Sequence, residues 1–227
     1  MSSWVAHDPY IDAAGTKNNA EIVNSFLVSK LPSWSKISRA AVLGCMEGES
    51  GINPAQWEVG MPKYGDKTGY GLVQWTPYTD LVGAAAGAGY SNWEDGTAQL
   101  FALKYEYETG YNGQWFQFNP SSVGYGVTWR EWAAGTGFSL DDLVQIFIEN
   151  YLRPASNYQP NYHAYARKWW TWLDTGIVPD VPTPDPGPTP GPSPGPGGSI
   201  DVKNPVNLVW LTKRYEGARL ELLKRRR

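Results

Sequence analysis

Two glutamates stand two residues apart, at positions 47 and 49, in the segment AVLGCMEGESGINPAQWE (residues 41–58). A carboxyl group acts as a general acid near neutral pH only if its pKa is raised, and burial against apolar groups raises it. On a helical wheel with about 100° per residue, Glu49 follows Cys45 by one turn and flanks the apolar face, whereas Glu47 lies on the other side near Arg39. The wheel therefore predicts an acid at Glu49 and not at Glu47. A glutamate that only caps or pairs at a helix end is the simpler alternative.

The segment that follows, GDKTGYGLVQWTPYTD (residues 65–80), combines three glycines with an amide and several aromatic rings. Glycine lets a ligand approach the backbone closely. Gln74 can hydrogen-bond a hydroxyl or N-acetyl group, and Tyr70 and Trp75 can stack on the face of a sugar ring. An acid at a helix end followed by such a loop is what the cleavage of a polysaccharide requires.

A mainly helical scaffold must position these residues. Apolar periodicity and helix-start residues predict six helices, over residues 19–31, 35–49, 93–109, 129–134, 140–152 and 161–173. Residues 51–76 are rich in Gly, Pro, Asn and Tyr, which is typical of loops or short strands. Gly44 and Gly48 allow another segment or a sugar to approach the second helix closely. The expected fold class is mainly α, with some α+β character, in a single globular domain.

The composition excludes several other kinds of site. A chain of 227 residues, 41% of them hydrophobic, is long enough for one good core and a small appendage. The single cysteine, Cys45, excludes an intramolecular disulfide, and with only His7 and His163 there is no zinc cluster. No loop has EF-hand spacing, so neither a metal nor a cofactor is predicted. The 12 Trp and 14 Tyr suit both a buried core and a surface that stacks on ring-shaped ligands.

Targeting signals are not apparent in the sequence. The first residues, MSSWVAHDPYIDAAG, lack the basic start and the apolar core of a secretory signal. The sequence also lacks a run of about 18 apolar residues that would span a membrane. We therefore expect synthesis in a cytoplasm, with any export by another route.

A proline-rich segment marks the plainest boundary of the chain. Residues 179–198 hold nine of the 18 prolines and few apolar residues, which predicts an extended, semi-rigid spacer with a reach of about 60 Å. The tail, residues 199–227, carries eight Lys or Arg against three Asp or Glu. We interpret it as a helix that docks on a partner, with a membrane- or polymer-binding amphipathic segment and a disordered basic end as alternatives. The predicted domains are an N-terminal extension (1–17), a catalytic domain (18–176), a Pro/Gly-rich linker (177–198) and a basic amphipathic segment (199–227).

Four blocks of the sequence, in order, resemble the bacteriophage tail lysozymes. GCMEGESGINP followed by GYGLVQWT is similar to the part of that family in which the catalytic glutamate precedes Ser-Gly-x-Asn-Pro, and this glutamate falls on Glu49. WEDGTAQLFALKYE is similar to the family's Gln-Leu helix, and FIENYLRP to its aromatic–Arg–Pro ending. The resemblance covers about residues 18–173. It implies a lysozyme-like fold that hydrolyses the β-1,4 bond between N-acetylmuramic acid and N-acetylglucosamine in peptidoglycan.

The resemblance also implies roles for single residues. Glu49 would protonate the leaving glycosidic oxygen, and a second carboxylate would activate water or attack from the opposite face. A more distant similarity of GDKTGYGLVQ to the goose-type lysozymes points to Asp66 for this second role, and Glu58 is the other candidate by spacing. A further aspartate of the goose-type family falls on Thr76, so a mechanism without a separate carboxylate stays open. The residues expected to contact the substrate are Asn53, Tyr70, Gln74, Trp75 and Thr76.

Two other functions and two biological settings stay open. A lytic transglycosylase needs only the acid–base glutamate, because the sugar's own hydroxyl closes a 1,6-anhydro ring. A non-catalytic module that binds the cell wall would use its aromatic residues for binding alone and would not need a costly buried carboxyl group. The setting is either a phage tail that opens the wall during genome entry or an endolysin released at the end of infection. The expected partners are peptidoglycan and, through residues 199–227, a tail protein or cell-wall polymer, with no nucleic acid.

Overall fold

The computed structural model describes residues 3–7, 10–117, 120–154 and 159–179. All of them fall within one compact unit of the chain, Met1–Pro182. Seven α-helices make up most of the described residues: α1 (Ala13–Lys30), α2 (Lys36–Ser50), α3 (Tyr78–Gly87), α4 (Gly96–Thr109), α5 (Trp129–Ala134), α6 (Leu140–Phe147) and α7 (Pro160–Thr175). Extended pairing in this part of the chain consists of two isolated antiparallel bridges, Trp57 with Tyr70 and Tyr70 with Trp75.

The mainly helical class expected from the sequence is confirmed, as is a single globular domain. The basic segment (199–227) and all but the first three residues of the linker (177–198) lie outside the described residues, so the predictions made for them stay predictions. Within the described residues, no helix is long and apolar enough to cross a membrane.

The helix ends follow from side-chain caps. The Asp12 carboxylate accepts the N–H of Gly15 over 2.7 Å, and this cap starts α1 at Ala13 rather than at the predicted Asn19. Thr128 and Ser139 each form a capping box, which starts α5 and α6 as predicted. The predicted helix 140–152 is α6 followed by one π-helical turn, Ile148–Leu152.

The sequence analysis missed α3. Gly83 and Gly87 lower its intrinsic helix propensity, so the local pattern reads as a turn. Tertiary packing requires both glycines, since a Cβ on Gly83 would lie 2.1 Å from the hydroxyl of Tyr111 and one on Gly87 2.5 Å from the ring of Tyr105. The missed helix is therefore stabilised by contacts that are distant in the sequence.

The central helix is α2, which packs against α1, α5, α6 and α7. Residues 40–46 are buried without interruption. Leu43 lies one turn before Glu47, on the side that the helical wheel assigned to Glu47 and Arg39, and it is fully buried. A helix surrounded by other helices has no solvent face, and an amphipathic wheel cannot describe it.

The first described residues, 3–7, are tied to the domain by two asparagines. The Asn19 side chain accepts the N–H of Val5 over 2.9 Å and donates to its carbonyl over 2.7 Å. The Asn53 side chain accepts the N–H of His7 over 3.4 Å and donates to its carbonyl over 2.6 Å. These bonds hold the start of the chain against the loop that follows α2.

Candidate active site

The carboxyl of Glu49 lies at the last turn of α2. The helix ends at Gly51, whose φ of 66° is left-handed and whose N–H bonds to the carbonyl of Glu47. The Tyr162 hydroxyl, on α7, donates to Oε1 of Glu49 over 3.0 Å. One carboxyl oxygen is thereby fixed by a bond between two helices.

Two glycines of α2 allow α7 to approach closely enough for this bond. A Cβ on Gly44 would lie 2.5 Å from the backbone nitrogen of Ala166, and a Cβ on Gly48 2.0 Å from Cδ1 of Tyr162. Both separations are far below the roughly 3.5–4 Å of a normal contact, so only glycine permits them. The close approach expected at Gly44 and Gly48 is made by α7, and it carries the Tyr162 ring onto the last turn of α2.

Burial raises the pKa of Glu49 to about 7. The hydrogen bond from Tyr162 acts in the opposite direction, because it favours the ionised form, and the charge of Glu58 raises the pKa further. A pKa near neutrality is the one that best suits a general acid at physiological pH. Glu49 therefore has the environment that the helical wheel predicted for it.

The Glu58 carboxylate is exposed and held by the glycine-rich loop. The N–H of Glu58 donates to the carbonyl of Gly69 over 3.1 Å, and its Oε2 accepts the N–H of Gly69 over 3.1 Å. Its negative charge raises the pKa of Glu49, so the ionisation of the two carboxyl groups is electrostatically coupled. They differ in environment, one desolvated and one exposed, as an acid and its partner carboxylate require.

Tyr162→Phe is expected to move the alkaline limb of the pH profile of kcat/KM to higher pH, by about one pH unit. The reason is that the lost hydrogen bond favoured the ionised form of Glu49, so its removal raises the pKa of the acid. Because Phe retains the ring that packs on Gly48, the fold should persist. Rates of wall lysis over a pH series measure the shift; an unchanged limb would contradict the role of Tyr162.

Glu47 is also desolvated, contrary to the helical-wheel prediction. Burial raises its pKa, and the ammonium of Lys168 on α7, which donates to its Oε1, acts against the rise. The two side chains are only 13% and 11% exposed. The expected neighbour Arg39 instead donates to Asn24 Oδ1 and to the carbonyl of Trp34, each over 3.0 Å. The wheel failed here because α7 covers this side of α2, and its cation neutralises Glu47.

Two further predicted site residues, besides Glu58, lie at the surface. Asp66 is exposed on a tight turn that the N–H of Thr68 closes on the carbonyl of Gly65 over 3.0 Å. Its charge is not among those that act on Glu49. Thr76 is exposed and donates its hydroxyl to the carbonyl of Gln74 over 3.0 Å. The role of Asp66 as the second carboxylate stays a prediction.

The other expected substrate contacts support the loop itself. Asn53, Tyr70 and Trp75 are 0, 2 and 5% exposed. Tyr70 and Trp75 exchange two backbone hydrogen bonds, of 3.0 and 3.2 Å. The partly exposed Gln74 donates its amide to two carbonyls of the same loop, each over 3.1 Å. Direct substrate contact by these side chains stays a prediction.

A second buried carboxyl group, Glu106 on α4, was not predicted. It is fully buried, accepts the indole N–H of Trp75 at both oxygens over 3.1 and 3.3 Å, and accepts the hydroxyl of Tyr151 over 2.7 Å. Burial raises its pKa to about 7, with an opposing effect of the two donors and of Arg153. Glu106 thus fixes Trp75, and through it the glycine-rich loop, against the helices.

The sequence did hold a signal for Glu106. It follows the buried Gln99, Ala102 and Leu103 at helical spacing, so it falls on the core face of α4. A charged residue at a core position indicates a paired or hydrogen-bonded group.

Within the described residues, no group of three or more His, Cys, Asp or Glu is arranged to hold a metal ion.

Comparison with known proteins agrees with this geometry. The sequence model of the family described as phage tail lysozyme matches residues 18–173. Morphogenesis protein 1 of Bacillus phage B103 is 30% identical over 186 residues, which cover 77% of this chain and 45% of that protein. The chain therefore spans less than half the length of that relative. A match over most of the chain, with a desolvated glutamate at the family's motif, shows that this phage-associated, lysozyme-like protein belongs to the phage tail lysozyme family.

Proposed function

We propose that this protein is a peptidoglycan muramidase that cleaves the β-1,4 bond between N-acetylmuramic acid and N-acetylglucosamine, with Glu49 as its general acid. The observation that carries the proposal is the environment of Glu49, which is buried, bonded to Tyr162 and has a pKa of about 7. A carboxyl group in this state is still substantially protonated at neutral pH and can release its proton there. The family implies peptidoglycan as the substrate.

The proposed step begins with transfer of the Glu49 proton from Oε2 to the glycosidic oxygen as the bond to the sugar breaks. Negative charge then develops on the Glu49 carboxyl. The Tyr162 hydroxyl, which already donates to Oε1 over 3.0 Å, stabilises that charge more than it stabilises the neutral acid. Tyr162 thus lowers the free energy of proton transfer while the surrounding apolar groups keep the resting acid protonated.

The second carboxylate is proposed to be Glu58. Its position supports this role, because its charge acts on Glu49 and its Oε2 is fixed by the N–H of Gly69. From the facing side it would activate a water molecule or stabilise the positive charge of the transition state. Asp66, the first choice from the resemblance, lacks this coupling. Gln74 and Thr76, at the exposed edge of the same loop, are proposed to contact the substrate.

Glu58→Gln is expected to reduce kcat/KM by about 100-fold or more, the usual size of one acid–base contribution. It should also move the alkaline limb of the pH profile to lower pH, since the charge of Glu58 raises the pKa of Glu49. Asp66→Asn is the matched comparison and should have the smaller effect on both quantities. A larger loss with Asp66→Asn, measured as release of reducing ends from purified peptidoglycan, would reverse the two roles.

The nature of the product tests the reaction type. Mass spectrometry of the muropeptides released from purified peptidoglycan should find reducing N-acetylmuramic ends, which carry the elements of water. A lytic transglycosylase would leave 1,6-anhydro ends instead. Thr76, which stands where the goose-type family has an aspartate, favours this second candidate. Glu58 favours hydrolysis, because ring closure by the sugar's own hydroxyl requires no second carboxylate.

A module that only binds the wall is the weakest alternative. Burial of a carboxyl group is costly, and binding gains nothing from an acid whose pKa lies near 7. Absence of any released fragment from the wild type, together with co-sedimentation of the protein with the wall, would favour this alternative.

The setting proposed for this activity is the phage tail. The family name and the relative named as a morphogenesis protein support a virion component. The Pro/Gly-rich linker (177–198) would then tether the lysozyme domain, and the basic segment (199–227) would bind a tail protein or a cell-wall polymer. Detection of the chain in purified particles by mass spectrometry would support this setting, and its detection only in lysates would favour an endolysin.

A further inference from the structure

Five aromatic rings cluster beside the proposed active site. They belong to Trp57, Tyr64, Tyr70, Tyr78 and Trp93, and their neighbouring centroids are 4.4 to 6.5 Å apart. Trp57 and Tyr70 form a buried base, and Tyr78 and Trp93 are partly buried. Tyr64 lies on top and is 53% exposed. The cluster therefore supports one ring that faces solvent.

The backbone of Tyr64 is held in an unfavourable conformation. Its φ of 60° lies in the left-handed region, which bulky residues rarely adopt and which costs roughly 1–3 kcal/mol. The Tyr64 hydroxyl donates to Oε1 of Glu94 over 3.1 Å. The three cluster rings near Tyr64 stand at 73–85° to it, so none of them stacks flat on its face. A strained backbone that keeps a large ring fixed and exposed indicates that the ring has a ligand.

The Tyr64 ring lies on the opposite face of the extended backbone from the Glu58 side chain. Trp57 pairs with Tyr70 in an antiparallel bridge, and Glu58 is the next residue along the extended backbone. Successive side chains of an extended segment point to opposite faces. The Glu58 carboxylate accepts the N–H of Gly69, whereas Trp57 packs under Tyr64. The aromatic cluster is therefore next to Glu58 in the chain but on the other face of this segment.

We propose that Tyr64 and the adjacent Glu94 form a second glycan-binding site, which holds the cell-wall polysaccharide beside the strand that is being cut. This inference rests on the proposed function for the identity of the polymer. A saccharide ring has an apolar face that stacks on an aromatic side chain and hydroxyls around its edge that donate hydrogen bonds. Tyr64 provides the flat surface, and the exposed Glu94 carboxylate keeps acceptor capacity beyond its one bond to Tyr64.

A second glycan-binding site increases the affinity for an insoluble polymer, but not for a short fragment that cannot reach both sites. Two contacts with one polymer raise the effective affinity well beyond that of the cleft alone. The site would therefore keep the domain on the wall between cleavage events. A soluble tetrasaccharide that fills only the cleft should not use it.

The test uses the full chain with Glu49→Gln, which binds without cleaving. Sedimentation with purified insoluble peptidoglycan should give a Kd about tenfold weaker for Glu49→Gln/Tyr64→Ala than for Glu49→Gln alone. Glu49→Gln/Tyr64→Phe, which retains the ring but loses the bond to Glu94, should recover most of this affinity. Titration with a soluble peptidoglycan tetrasaccharide should give a much smaller difference between the same chains.

The matched control is Glu49→Gln/Tyr125→Ala, because Tyr125 is 52% exposed but lies outside the aromatic cluster. It should bind the wall as Glu49→Gln does. Equal binding of the chains with and without Tyr64→Ala would overturn the inference and leave the proposed function intact. An equal loss on wall and tetrasaccharide would overturn it by making Tyr64 part of the cleft. Failure of Glu49→Gln itself to bind the wall would overturn the inference, while lysis by the wild type tests the proposed function separately.

Discussion

Glu49→Gln is expected to lose wall-lytic activity by a factor of about 10³ to 10⁴, near the upper end of the general acid–base contribution. Glutamine has nearly the same shape and can accept the hydrogen bond of Tyr162, but it has no proton to give to the leaving oxygen. Release of reducing ends from purified peptidoglycan at pH 7 measures the loss. Lysis at the wild-type rate would remove Glu49 from the mechanism.

The same substitution should change stability in a pH-dependent way. The pKa of Glu49 is about 7 in the folded protein, above its ordinary value of 4.5, so ionisation destabilises the fold. Below pH 4.5 the carboxyl is protonated in both states and has no such effect. The cost develops between pH 4.5 and 7 and reaches roughly 3 kcal/mol above that range. Thermal unfolding should therefore show Glu49→Gln gaining stability relative to the wild type from pH 4.5 to pH 8.

Glu47→Gln is the control for Glu49→Gln. Glu47 forms a largely buried ion pair with Lys168, so its replacement leaves the ammonium without its counter-charge and should destabilise the domain by about 3 kcal/mol. Catalysis should persist, because Glu47 pairs with Lys168, whereas the bond that orients Glu49 comes from Tyr162. The two variants should therefore differ. Glu49→Gln should lose activity, and Glu47→Gln should lose stability. An equal loss of activity in both variants would refute this assignment of the faces of α2.

Gly48→Ala is expected to disrupt the contact between α2 and α7 beside Glu49. Alanine normally stabilises a helix relative to glycine by about 1 kcal/mol. Here the new Cβ would lie 2.0 Å from the ring of Tyr162, so α7 must move away from α2. We expect a loss of about 3 kcal/mol, hence a fall in Tm of about 10 °C, together with at least a tenfold loss of activity as Tyr162 leaves Glu49.

A double-mutant cycle tests the cause of this effect. In a Tyr162→Ala background the ring is absent, so adding Gly48→Ala should cost nothing further or even stabilise the helix. Calorimetric Tm values for the four chains give the coupling between the two positions. If the effects of the two substitutions on Tm are additive, Gly48 is required by the conformation of α2 itself and not by the close approach of α7.

Much of the active-site motif follows from local sequence. A helix ends at Gly51, a glycine-rich loop follows, and Glu49 adjoins the apolar side of α2; each of these features depends on neighbouring residues alone. The capped starts of α5 and α6 are equally local, since Thr128 and Ser139 bond to residues three positions ahead. These are the features that a helical wheel and turn chemistry describe correctly.

Only the tertiary structure decided how the carboxyl groups differ. The pairing of Glu47 with Lys168 and of Glu49 with Tyr162 joins residues more than 100 positions apart, and no local pattern contains such contacts. The hydrogen bonds that the buried Glu106 accepts from Trp75 and Tyr151 form only when α4 packs against the loop. The sequence by itself determined where α2 ends, where α5 and α6 begin and that Glu49 adjoins the apolar side of α2. Because a pKa depends on burial and on partners from distant elements, packing decided which carboxyl retains its proton at neutral pH.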